Sequence, residues 1–166
     1  MRGFYLSGLI FFAIAFVGCG IYTPYGAATS GGSTFSIKYF ETVHPLVSAS
    51  TSITISEALI DRVQRQSTLQ LVDDGGDLAF EGKVVGWQVQ PINVQGNETA
   101  GANRITITVD VVYTNTKDDK LSFQSKFNRF YDLPSSQDIN SNTDFVVEEI
   151  ADLLSQDIFN ASLGNW

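Results

Sequence analysis

The 166-residue chain has one cysteine, one histidine, one methionine and four prolines, and these scarcities exclude whole classes of chemistry. Cys19 has no second cysteine with which to close an intramolecular disulfide. A zinc centre takes about four Cys, His or carboxylate ligands, and Cys19 with His44 does not supply the usual set. There is no G-x-S-x-G elbow, and His44 is the one histidine able to serve as a base for a serine hydrolase. Asp73, Asp74 and Asp77 surround two glycines but lack the twelve-residue spacing and terminal Glu of a calcium loop, so they read as a solvated turn. The carboxylates Glu148 and Glu149 read as the charged face of a helix, and the chain as a whole reads as a non-enzyme without a cofactor. Basic residues are also scarce. Ten Lys and Arg stand against 18 Asp and Glu, a net charge of −8, which argues against a nucleic-acid partner because phosphate contacts need clustered cations. The longest apolar run, Phe4 to Val17, is 14 residues, short of the roughly 20 that span a bilayer.

That run has the layout of a signal peptide, with Arg2 in front, an apolar middle, and the small residues Gly18, Cys19 and Gly20 at its exit. Gly18 before the single cysteine resembles the lipobox of bacterial lipoproteins, with Phe16 where that motif usually carries Leu. The resemblance implies acylation of Cys19 and cleavage between Gly18 and Cys19. A buried free thiol is the competing reading, and acylation anchors a protein to a membrane without a spanning helix. Removing residues 1–18, whose one charge is Arg2, leaves 148 residues of net charge −9, the length of about one domain. Residues 19–33 are uncharged and rich in Gly, Ser, Thr and Ala, as expected of a lipidated N-terminus and tether, with residues 34–166 as a single α+β domain. By resemblance to lipoprotein sorting rules, the lack of Asp after Cys19 points to the outer membrane, facing the periplasm.

Downstream, periodicity predicts the elements. Phe35, Ile37 and Tyr39 alternate with Ser36 and Lys38, a strand over 34–41. Thr54-x-x-Glu57 fits a capping box for a helix to about Gln66, with Ile55, Leu59 and Val63 on one stripe. A short strand at 69–73 and a turn at 74–76 precede a long strand at 78–90. There Leu78, Phe80, Gly82, Val84 and Gly86 should share one face, and Glu81, Lys83, Val85 and Trp87 the other. Ile105 to Asn115 alternates most cleanly, and the TKDDK turn leads into a partner strand at 121–132. Ser141 should cap a helix over about 143–160. The order β-α-β-β-β-α predicts a two-layer sandwich: a largely antiparallel sheet of four or five strands with two helices on one face.

The stretches TFSIKYF, LQLVDDGGDLAFEG and QGNETAGANRITITVDVVYTNT, with the lipobox and the closing amphipathic helix, together resemble a divergent branch of the LPS-assembly lipoprotein (LptE) family. The resemblance implies a periplasm-facing partner and plug of the large lipopolysaccharide-translocon barrel, with lipopolysaccharide as a further contact. Lys38, Lys83 and Lys126 on the open sheet face, with Arg104 at a strand edge, are the candidate contacts. Cross-strand pairing with Glu81 and Asp110 is the competing use of those side chains. A ligand-binding accessory lipoprotein of a lipid or solute transporter, with Trp87 in its pocket, is the alternative function.

Overall fold

The computed structural model describes residue 27, residues 29–93 and residues 101–164. The expected signal segment 1–18, Cys19 and most of the tether lie outside the described residues, as does Trp166.

The α+β class and the two helices on one sheet face are as expected. The sheet, however, has six strands and is mixed. Strands β1 (Thr34–Ile37) and β2 (Glu41–Thr42) precede helix α1 (Ala49–Gln66); β3 (Gln70–Leu71), β4 (Leu78–Asn93), β5 (Gly101–Asn115) and β6 (Phe123–Pro134) follow, and helix α2 (Ile139–Ser162) closes the chain. The strand order is β3-β1-β4-β5-β6, with β2 also on β4. Strands β4, β5 and β6 form an antiparallel meander, whereas β1 runs parallel to both β3 and β4. The parallel edge follows from connectivity, because α1 returns the chain to the start of the sheet and the strands after it must run beside β1 in the same direction.

Two local breaks overturn simple alternation. The expected strand over 34–41 is interrupted at residues 38–40. There the Phe40 N–H leaves the ladder and donates to Ser56 Oγ on α1 at 2.8 Å. The alternation slips by one residue: Phe40 is buried and Tyr39, expected inside, is 56% exposed. Gly82 makes room for this, since a Cβ at that position would lie 2.6 Å from the Phe40 ring. The close approach that requires a glycine here is thus by an aromatic ring. The second break is a bulge in β4 between Val84 and Gly86. The extra residue reverses which side chains face the helices. Trp87, expected beside Lys83 on the open face, instead stands opposite Ile107 and packs against the core. Gly86, expected inside, pairs with Thr108 on the open face.

Both helices begin earlier than expected. The Ser48 side chain caps α1 by accepting from the Thr51 N–H at 3.3 Å. Thr54, the expected cap, lies about a turn and a half inside the helix and its hydroxyl donates to the Ser50 carbonyl. The first turns are Ser- and Thr-rich and read as loop by propensity, but Thr51, Ser52, Ile55 and Ser56 are all buried against the sheet. Asp138, not Ser141, caps α2; its carboxylate accepts from the Ser141 N–H and hydroxyl, both at 2.9 Å. The same bonds hold the Asp138 carboxyl below its ordinary range.

One core joins the layers: Ile55, Leu59 and Val63 of α1, Val146, Ile150, Leu154 and Ile158 of α2, and Phe35, Phe80, Ile105, Ile107, Val109 and Tyr113 of the sheet. Each fully buried large side chain contributes about 1.5–3 kcal/mol relative to exposure. Between the helices, the buried Arg62 of α1 donates to Ser155 Oγ at 2.8 Å and to the Asp152 carbonyl and carboxylate at 3.1 and 2.5 Å. It also donates to the Gln156 side chain.

Candidate partner-binding surfaces

The sheet face turned away from the helices is a lattice of compensated charges. Alternation places Lys38, Glu81, Lys83, Thr106, Thr108 and Asp110 there, and the partner strand adds Gln124, Lys126, Asn128 and Phe130. Lys38 Nζ meets Glu81 Oε1 at 2.5 Å, and Lys83 Nζ meets Glu41 Oε2 at 3.1 Å. The hydrogen bond to Glu81, more than its charge, raises the Lys38 pKa. Arg104 grips Asp132 with two parallel bonds of 2.7 and 2.8 Å, the geometry that makes Arg–carboxylate pairs strong. These bonds raise the Arg104 pKa and lower that of Asp132. The same guanidinium lies 3.8 Å from the Phe130 ring centroid.

Lys126 differs from the other three basic residues. It stands opposite Asp110 in the β5–β6 register, but the Asp110 carboxylate is engaged by Gln124 Nε2 at 3.1 and 3.3 Å. Among the described residues Lys126 has no ion-pair partner within 4.0 Å. The four candidates therefore share one face but do not converge on a pocket. Three are engaged by carboxylates, and the shallow depression of about 120 Å³ on this face is lined by both signs of charge.

A larger groove lies on the opposite side, at the far end of the sheet. Strands β4 and β5 run on past the first turns of both helices. Trp87, Val89 and Asn103 form a floor, with walls from the segments entering α1 and α2. Its volume is about 750 Å³. This surface exists because of the β4 bulge, which no alternation count over residues 78–90 would find.

His44 lies between β2 and α1, where its Nδ1 accepts from the Leu46 N–H at 3.3 Å. Asp77 has a structural role that the sequence did not single out. Its carboxylate accepts from the Ser33 N–H and hydroxyl and the Thr34 N–H, and pairs with Lys117 Nζ at 2.8 Å. The bond from Lys117, followed by those from Ser33, holds the Asp77 carboxyl far below the ordinary range. Among the described residues no three His, Cys, Asp or Glu side chains gather as a metal site, and no helix is long and apolar enough to cross a membrane.

The fold and these surfaces define a class: a small two-layer α+β domain that presents a polar, ion-paired sheet face on one side and an open groove on the other. The family model for lipopolysaccharide assembly, LptE, matches residues 33–162, and the chain belongs to that family. Among curated proteins no match is found. Among solved structures, the hypothetical protein CT253 from Chlamydia trachomatis is 10% identical, with 81% of this chain and 99% of that one covered at a TM-score of 0.55. A minor lipoprotein from Acinetobacter baumannii is 12% identical, with coverages of 77% and 90% and a TM-score of 0.49. The rare lipoprotein B from Shewanella oneidensis is 10% identical, with coverages of 77% and 92% and a TM-score of 0.46. At these identities the likeness to the Chlamydia protein speaks for the fold alone.

Proposed function

We propose that this lipopolysaccharide-assembly lipoprotein is a non-catalytic partner and plug of the outer-membrane translocon barrel, held at the periplasmic side by acyl chains on Cys19 after removal of residues 1–18. The domain from residue 34 onward works on the tether formed by residues 19–33. The observation that carries this reading is the family match over residues 33–162. The sheet face supports it: a broad surface whose charges are mutually neutralised suits a water-filled lumen. The mature charge of −9 leaves membrane attachment to the acyl chains, since an acidic domain gains nothing from anionic headgroups.

Contact with lipopolysaccharide phosphate falls first to Lys126, because Lys38, Lys83 and Arg104 would each have to exchange a carboxylate partner to reach it. Depleting the protein is expected to lower lipopolysaccharide at the cell surface and raise it inside the envelope. Cys19→Ser expressed in its place should be lost from the outer-membrane fraction and restore surface lipopolysaccharide poorly. Unchanged surface lipopolysaccharide on depletion would overturn the proposal. Cys19→Ser protein that stays in the outer membrane, when the wild-type N-terminal peptide carries no acyl mass, would overturn the anchoring.

A further inference from the structure

The groove at the end of the sheet has a lining that selects a chemistry. We propose that it is a binding site for a neutral saccharide chain, with a sugar ring stacked on Trp87. Trp87 sits on the groove floor beside Val89, and Leu46, 72% exposed, forms part of one wall. An indole supplies a flat apolar surface and one N–H donor, and among the described residues the Trp87 N–H has no acceptor. Around it stand the carboxamides of Asn103, Gln137 and Asn140. A carboxamide offers two donors and an acceptor, so it can bridge vicinal hydroxyls. Among the described residues none of these three side chains makes an intramolecular hydrogen bond, so a ligand would displace only water from them.

Alternative ligands fit this lining less well. No Lys or Arg lines the groove, and a phosphate or carboxylate ligand would want the charge-assisted bonds those residues give. The one charged side chain in the lining, Asp138, is acidic and is already engaged in capping α2. An acyl chain would want a continuous apolar wall, whereas residues with a hydroxyl or a carboxamide are interleaved with the apolar ones throughout this lining. The volume of about 750 Å³ falls within the range of roughly 300–1,000 Å³ typical of small-molecule sites. The inference does not depend on the barrel partnership, because it concerns the opposite side of the sheet from the ion-paired face.

Calorimetric titration of the full-length lipidated protein, in a detergent without a sugar headgroup, with a panel of neutral hexose and heptose hexasaccharides tests it. At least one member should bind, with Trp87→Ala and the double variant Asn103→Ala/Asn140→Ala each weakening it tenfold or more. Trp87→Phe, which keeps a ring, should stay within about threefold of wild type. Should Trp87→Ala fail to fold by circular dichroism, the Phe and double variants carry the test. Inorganic phosphate should not compete, and barrel co-purification should survive the double variant. Absence of heat with every saccharide, binding indifferent to the double variant, or competition by phosphate would overturn the proposal. Loss of the barrel from the double variant would assign the groove to a protein partner and overturn it equally.

Discussion

At the scale of single residues, Arg62 shows what a hydrophobic pattern hides. It falls between Leu59 and Val63 on the buried stripe of α1, where a cation reads as an interruption, yet its guanidinium joins the two helices through Ser155, Asp152 and Gln156. Arg62→Ala is expected to lower stability by about 2–3 kcal/mol, since it removes packing and leaves the buried Ser155 hydroxyl without its donor. Arg62→Met keeps the bulk and should cost less, and chemical denaturation of both variants checks the order. Asp77 was legible only as a turn residue, because its partners at 33, 34 and 117 are remote in sequence. Its carboxyl titrates below the ordinary value of 3.8 in the folded protein, so the ionised form is the one folding favours. The stability this provides is complete above about pH 4 and is lost as pH falls below that toward the depressed folded value. Asp77→Asn should therefore melt lower than wild type near neutral pH and show a smaller further drop on acidification. Thermal melts between pH 7 and pH 2.5 measure the difference.

At the scale of elements, β5 is legible through its most regular stretch because nothing interrupts its alternation from Ile105 to Asn115, and all its inward residues there are buried. The place of β4 is legible, but the facing of its second half is reversed by a bulge at Val85, for which the adjacent Gly86 is the one local sign. The same holds at residues 38–40, where the slip is explained only once Phe40 is seen over Gly82. The parallel pairing of β1 was illegible because it depends on where α1 delivers the chain. From sequence the start of α1 reads a turn and a half late, because its Ser and Thr residues favour caps and turns when considered alone. Ser48→Ala should cost about 1 kcal/mol, the usual value of an N-cap, whereas Thr54→Ala should change stability by no more than a few tenths. Equal losses in urea unfolding would return the helix start to Thr54.

At the scale of the molecule, one sheet separates two surfaces of different character. Its outer face balances Lys38, Lys83 and Arg104 against Glu81, Glu41 and Asp132, and its inner face carries the core and then, beyond the helix ends, the Trp87 groove. The class of fold was legible from the order of periodicities. The candidate site is legible as outward lysines and Arg104 with carboxylates within reach: the competing pairing with Glu81 is the one Lys38 makes, whereas Asp110 is engaged by Gln124 and Lys83 pairs with Glu41, partners that depend on strand register and on the break at residues 38–40. The central claim is that this lipopolysaccharide-assembly lipoprotein works on a translocon barrel, and mild-detergent purification of the tagged full-length protein from outer membranes tests it most directly. Co-purification of the barrel in a stable complex, identified by mass spectrometry, is the predicted result. Recovery of the monomer alone from intact outer membranes would contradict it.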